Sequence, residues 1–442
     1  MIKEKVSLFW FRRDLRLEDN RGLHEALKGQ FPVLPIFIFD SKITDELDNN
    51  DPRITFIHDR LTKLSTDVKK YSCSIYCTKG EPEDVWASLV DEFDIQEVYA
   101  NEDYEPYAIK RDAVIKEFLQ DKGIRFNTYK DQVIFAKNEI LKNDNTPYTI
   151  FTPFKNKWIS TLKSDEAILT PRVLNTSRFA RAKIHFPELD ELGFKRSSIK
   201  VRDYRLDQLE KYEEVRNFPG LEQTSYLSPH LRFGTVSIRS IVKQFLSNPV
   251  FLSELVWREF FMQILYHFPE VVYSNFKQKY DLVEWRNRPD EFEKWKNGET
   301  GYPMVDAGMR ELNRSGYMHN RVRMVVAGFL CKHLLIDWRW GEAYFAKKLL
   351  DYELSSNNGN WQWAAGTGCD AAPYFRVFNP AIQFRKFDPD MVYVRRWIPE
   401  IESSSYPSPM VDHKKARERA IETYKNGIQQ YSPKPGPDRN AH

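Results

Sequence analysis

The chain has little that would mark a membrane, secreted or metal-dependent protein. Its longest apolar run, Val325–Cys331, falls far short of the roughly 20 residues that a membrane-spanning helix needs. Four cysteines occur in 442 residues (Cys73, Cys77, Cys331, Cys369), and none has zinc spacing. Cys73 and Cys77 lie in a short apolar run and read as buried thiols, which suits a reducing cytoplasm. The opening MIKEKVSLFWF lacks the design of a secretory signal and reads directly as a strand. GxSxG, P-loop and HExxH motifs are all missing. The net charge of +3 permits a nucleic-acid partner without arguing for one, because a basic footprint has to be local to count. What the chain has in excess is aromatic: 14% of residues, including 11 Trp, more than packing alone requires.

The first 130 residues alternate between buried strands and helices. Val6–Phe11, Val33–Phe39, Ser74–Thr78, Glu97–Ala100 and Ile124–Tyr129 read as strands. Asn20 is placed to cap one intervening helix, Pro82 lies in the first turn of another, and a third runs from Tyr107 to Asp121. This rhythm predicts an α/β domain with a doubly wound parallel sheet over 1–130. The Gly-rich dinucleotide loop expected after the first strand is replaced by RRDLRLEDN, so a phosphate cradle is not expected there. Residues 131–200 mix Pro, Asn, Ser and Lys and read as a long linker, although TPYTIFTPF (Thr146–Phe154) is too aromatic to be loose. Helical periodicity then dominates 201–430, predicting an all-α domain. The polar tail 431–442 is expected to be disordered.

One stretch breaks helical logic. NNGNWQWAAG (Asn357–Gly366) carries two indoles two residues apart, and on a helix Trp361 and Trp363 point ~160° from one another. A core helix wants apolar residues three and four apart. The GTGCDA that follows fits a dinucleotide pattern, but it trails a helix rather than a strand and reads as a loop.

FWFRRDLRLEDN (Phe9–Asn20), PYTIFTPFKNKW (Pro147–Trp158), TSYLSPHLRFG (Thr224–Gly234), ELVWREFF (Glu254–Phe261), GYPMVDAGMRELNRSGYMHNRVRM (Gly301–Met324) and NNGNWQWAAGTGCDAAPYFRVFNP (Asn357–Pro380) together resemble the DNA photolyase/cryptochrome family, in order, spacing and rare residues. The resemblance implies an α/β antenna domain, a linker, and a helical domain that holds FAD in a folded form. It further implies that blue light excites reduced flavin, which lends an electron to a flipped-out cyclobutane pyrimidine dimer and splits it.

Residue by residue, the resemblance assigns Tyr212 and the run Thr224, Ser225, Tyr226, Leu227 and Ser228 to FAD, where hydroxyls and backbone N–H groups suit a pyrophosphate at a helix start. Tyr226 stands where some members carry Arg. Arg258, Arg323, Asp351, Tyr352, Glu353 and Asn357 would surround the flavin, with the Asn357 amide toward N5. Trp361, Trp338 and Trp285 match a three-tryptophan relay to the surface, while Trp340 reads as packing. On the opposite side of the helix, Trp363 would face the substrate. It is joined there by Trp257, Asn320, Met324 and Glu254, with Arg216 and Arg321 as phosphate contacts. Glu254 would stabilise the dimer's developing negative charge.

Within the family, a cyclobutane-dimer photolyase of class I is expected. A signalling cryptochrome would degrade the dimer pocket, and a (6-4) photolyase would carry histidines where Asn320 and Met324 stand. The implied partner is damaged DNA, met by a monomeric cytoplasmic protein with no membrane contact. A second antenna chromophore (folate, deazaflavin or flavin) is open. Folate-binding members carry an Asn–Glu pair where this chain has about Tyr107 and Ala108.

Overall fold

The computed structural model describes residues 4–431. The tail expected beyond Tyr431 lies outside the described residues. Contacts divide the chain into two compact units. The first comprises Met1–Ile140, Asn156–Tyr204 and Tyr226–Leu255; the second comprises Leu141–Lys155, Arg205–Ser225 and Val256–His442.

In the first unit five parallel strands, β1 (Lys5–Phe11), β2 (Val33–Asp40), β3 (Tyr76–Gly80), β4 (Asp94–Asn101) and β5 (Arg125–Tyr129), stand in the order β3-β2-β1-β4-β5. Val33–Asp40 is buried at every position, as a strand covered on both faces must be. The order reverses between β1 and β4, the usual place for a ligand crevice in such sheets. Helices Arg21–Lys28, Pro82–Glu92 and Pro106–Asp121 arise where the sequence places them. The Asn20 side chain accepts from Leu23 N, and Pro82 opens its helix.

The RRDLRLEDN segment after β1 builds a polar knot where a phosphate loop would otherwise lie. Asp14 accepts from Asn101 Nδ2 at 2.5 Å, and Asn101 Oδ1 accepts from Gly22 N at 2.8 Å. Arg16 forks onto both oxygens of Asp131 at 2.8 and 2.7 Å. Arg239 spans Asp19 (2.9 Å) and Asp131 (2.8 Å). Gly234 closes the knot from the far end of TSYLSPHLRFG. Its φ is +61°, and a Cβ there would lie 2.2 Å from the Arg13 carbonyl oxygen, so only glycine fits. At the carboxyl end of β1, the guanidiniums of Arg12 (5.0 Å) and Arg111 (4.8 Å) both lie over the Trp10 ring. Tyr107 donates to Asp40 close by, at 2.7 Å.

The second unit is helical. Its core gathers Trp295, Trp338, Trp361, Tyr393 and the apolar face of Pro303–Ser315.

Asp131 is fully enclosed. Burial alone would raise its pKa, but Arg16 and Arg239 outweigh that and leave it below the ordinary carboxylate value. Its contribution to stability is therefore complete above about pH 4 and fades as pH falls through the lowered folded pKa. Asp131→Asn strips two buried guanidiniums of their shared partner and should cost on the order of 3–5 kcal/mol at neutral pH. Urea unfolding across pH 3–7 checks this. The variant should lose less stability on acidification than the wild type, and identical pH slopes would contradict the role.

Candidate functional site

The helix Pro249–His267 is buried almost throughout, but between Phe251 and Leu265 only positions 253, 254, 257 and 258 are partly open. Glu254, Trp257 and Arg258 thus share one accessible stripe. The helix Asn320–Gly328 shows the same device, with Asn320 exposed and Met324 partly exposed while Val322, Val325 and Val326 are buried.

The helix Leu354–Ala365 separates its two indoles as expected. Trp361 is 2% exposed and Asn357 8%, both turned inward, while Trp363 and Asn360 lie on the open side. Two glycines fix the helix. A Cβ on Gly359 would lie 2.1 Å from the Phe261 ring, so the two helices cross backbone to ring there. Trp257 is one turn before Phe261 and Trp363 one turn after Gly359, so both indoles stand within a turn of the crossing. At the second contact, a Cβ on Gly341 would lie 2.2 Å from Cη2 of Trp361. Asn358 and Gln362 both donate to the Val271 carbonyl at 3.0 Å, and the Ala365 carbonyl accepts from Lys332 Nζ and the Tyr424 hydroxyl. Burial drives Lys332 down to about 7.

Asn357 has a partner that the sequence did not announce. Its Nδ2 donates to the Glu342 carbonyl at 3.0 Å and to Glu342 Oε1 at 2.8 Å, which leaves the amide oxygen to meet another N–H. Glu342 is pushed upward by burial. Its position four residues after Trp338 was the available signal, since both occupy one face of the helix Trp338–Lys348. Arg323 pairs with Asp351 at 2.9 Å and donates Nε to the Met318 carbonyl, and Arg258 pairs with Glu353 at 3.1 Å. Tyr352, between these acids, is partly exposed.

His319 is a second residue that sequence reasoning passed over. It caps Asn320–Gly328, accepting from Arg321 N at Nδ1, which places its proton on Nε2. That Nε2 is buried and has no hydrogen-bond partner. Burial first, then Arg323, Arg321 and Arg216, holds the imidazole neutral with a pKa of about 3. Arg321 itself donates to Asn217 Oδ1 at 2.6 Å and lies over Phe387 at 4.4 Å, and Arg216 lies 5.3 Å over Tyr212.

Thr224 Oγ1 accepts from the Tyr317 hydroxyl at 3.2 Å, and the Ser225 carbonyl accepts from Arg205 N. Tyr226 sits at φ +50°, a left-handed conformation costly for a tyrosine and typical of constrained functional segments. Arg202 lies over its ring and donates to its hydroxyl at 2.7 Å. Leu227 is buried and Ser228 exposed. The helix beginning at Ser228 spans only Ser228–Arg232 and carries Pro in its first turn.

Trp338 is 1% exposed, with its Nε1 donating to Asn275 Oδ1 at 2.9 Å, and Trp285 is partly exposed, edge-on to Tyr424 at 5.7 Å. Along the trio, exposure rises at Trp285. Another buried indole, Trp295, stands edge-on to Trp361 at 6.2 Å. Trp340 packs edge-on to Phe292 at 5.3 Å. In its own unit, this donor set fits a flavin dinucleotide. The imidazole N–H and guanidiniums suit anionic oxygens and carbonyls, the Thr224–Ser225 hydroxyls suit a phosphate bridge, and the Asn357 acceptor suits a ring N–H. Among the described residues no cluster of His, Cys, Asp and Glu could hold a metal ion, and no helix is long and apolar enough to cross a membrane.

Gly359→Ala forces a methyl into the Phe261 ring and should destabilise the protein by roughly 1–3 kcal/mol, the usual cost of overpacking. Thermal unfolding reads this directly, and an unchanged melting temperature would mean that the crossing is looser than described.

Residues 251–405 match the FAD binding domain of DNA photolyase, and residues 7–172 match the DNA photolyase domain. The deoxyribodipyrimidine photo-lyase of Halobacterium salinarum is 37% identical, covering 94% of this chain and 98% of that protein. A bacterial class III photolyase structure from Agrobacterium tumefaciens superposes with a TM-score of 0.86 at 33% identity, over 97% of this chain and 99% of that one. An archaeal photolyase structure from Sulfolobus tokodaii, described with two FAD molecules, gives 0.83 at 36% identity over 95% and 100%. Full-length similarity at this level, on a five-stranded parallel sheet followed by a helical FAD domain, places the chain in the DNA photolyase family.

Proposed function

We propose that the chain is a light-dependent deoxyribodipyrimidine photo-lyase that splits cyclobutane pyrimidine dimers in DNA. One observation carries this reading: the two indoles of the Leu354–Ala365 helix are divided, with Trp361 buried in the core and Trp363 on an open face beside the Phe261–Gly359 crossing. A photoreceptor needs the first but has no use for the second.

FAD, when bound, supplies light-driven transfer of one electron to the dimer and its recovery. Tyr212, Thr224, Ser225, Tyr226, Leu227, Ser228, Arg258, Arg323, Asp351, Tyr352, Glu353 and Asn357 would hold it. Arg323 and Arg258 are each kept in place by a carboxylate, which lets them act as oriented donors at no further ordering cost. Asn357, tethered through Nδ2 to Glu342, presents an acceptor that cannot rotate away. Trp285, Trp338 and Trp361 carry an electron inward from the partly exposed end. Trp257 and Trp363 supply flat walls for a flipped dimer, Met324 a polarisable contact, Asn320 and Glu254 hydrogen bonds, and Arg216 and Arg321 contacts to the DNA backbone. The four free, buried cysteines accord with a reducing cytoplasm, and action on DNA asks for no more than a monomer.

Separating the two indoles tests the reading. Trp361→Phe should abolish photoreduction of oxidised flavin while leaving repair intact once the flavin is reduced chemically. Trp363→Ala should weaken binding to dimer-containing oligonucleotide by roughly 1–3 kcal/mol, the worth of one base-stacking ring, with flavin content and photoreduction near normal. If Trp363→Ala binds like the wild type, the second indole is packing and the enzyme reading loses its support.

A further inference from the structure

The aromatic segment 147–154 is tied to the open stripe of Pro249–His267. The Phe151 ring lies on the indole of Trp257 with centroids 3.6 Å apart and planes 7° from parallel. Aromatic pairs ordinarily sit 4.5–7 Å apart, offset or edge-on, so this is near-complete face overlap. Phe151 is 6% exposed, with Phe260 against its flank at 5.8 Å. Its backbone N–H donates to Asp370 Oδ2 at 3.1 Å. Asp370 lies in the loop that follows the Leu354–Ala365 helix. That loop is folded back onto the helix, because Thr367 N and Gly368 N both donate to the Gln362 carbonyl at 2.9 and 3.1 Å. A continuous path of hydrogen bonds and backbone therefore runs from the turn bearing Trp363, through Asp370, to the ring that covers Trp257.

We propose that Phe151, held by Asp370, is a positioning residue for damage recognition. It covers one face of Trp257 and, with Phe260 edge-on at 5.5 Å and Phe261 at 5.4 Å with planes 30° apart, fixes the indole plane, so that a ligand meets only the part of the indole that these three rings leave uncovered. The proposal rests on the reading of Trp257 as a wall of the dimer pocket. An unsupported, partly exposed indole samples several rotamers, and ordering it on binding subtracts from affinity; a pre-stacked one avoids that cost. The benefit falls on dimer-containing DNA alone, because contacts to undamaged duplex run through phosphates.

The test compares Phe151→Leu, Phe151→Tyr, Asp370→Ala and Trp257→Ala for flavin content, melting temperature, and affinity for dimer-containing and undamaged duplex at moderate salt. Phe151→Leu should lose about tenfold in affinity for the dimer, within the range of coupled neighbours, and leave undamaged binding and flavin content unchanged. Phe151→Tyr should retain wild-type discrimination. Asp370→Ala, which releases the tether without touching the ring, should shift discrimination the same way and keeps the test valid if Phe151→Leu folds poorly. In a Trp257→Ala background, Phe151→Leu should cost nothing more, since it acts through that indole. Equal loss for both DNAs, no loss for either, or an additive loss in the double variant overturns the proposal. If Trp257→Ala alone leaves dimer affinity intact, the underlying pocket reading falls as well, and the two failures are told apart by that single variant.

Discussion

Phe261 rests on the backbone of Gly359 so closely that a methyl group at that position would lie 2.1 Å from the ring. Most of what the second unit can do depends on this contact. It sets the spacing of the Pro249–His267 and Leu354–Ala365 helices, so that Trp257 and Trp363 stand within a turn of the crossing. The same registration turns Asn357 and Trp361 into the core, where Gly341 makes a matching allowance for the Trp361 ring. A helix with one indole buried and one on its open side has almost no amphipathic character of its own. Its orientation is imposed by these two ring-to-backbone approaches, by Asn358 and Gln362 on the Val271 carbonyl, and by Lys332 and Tyr424 on its last carbonyl.

Charge is handled in a consistent way in both units. Arg16, Arg239, Arg258 and Arg323 are each largely buried, and each meets a carboxylate. Buried pairs of this kind add little net stability against an apolar alternative, but removal of either member is severe, so their use lies in fixing geometry. In the first unit the result is a closed polar knot after β1 where other doubly wound domains bind phosphate. In the second, the pairs leave the guanidiniums of Arg258 and Arg323 oriented and ordered, with Arg323 near enough to His319 to help hold it neutral, and the His319 tautomer is set by the backbone N–H of Arg321.

Local signals carried the fold well. Asn20 and Pro82 mark helix starts because caps and first-turn prolines act within a few residues, and the continuous apolar runs of β1 and β2 admit only a covered parallel sheet. The division of Trp361 from Trp363 follows from helical geometry alone. What could not be read from spacing was every relation closed by tertiary contact. Phe151 meets Trp257 across more than a hundred residues, Trp295 reaches Trp361 from another helix, and Asn357 finds Glu342 on a separate helix. Arg321, proposed as a contact to the DNA backbone, also donates to Asn217 Oδ1 and lies over Phe387, partners that its own segment does not predict.

On the function proposed here, the residues gathered around this crossing serve light-driven splitting of a pyrimidine dimer. The most direct measurement is thymine absorbance of a dimer-containing oligonucleotide incubated with purified, flavin-reduced protein, under blue light and in the dark. Absorbance should recover in the light, catalytically in protein, and not in the dark. Protein that holds reduced flavin and binds the damaged strand, yet restores no absorbance under illumination, would contradict it.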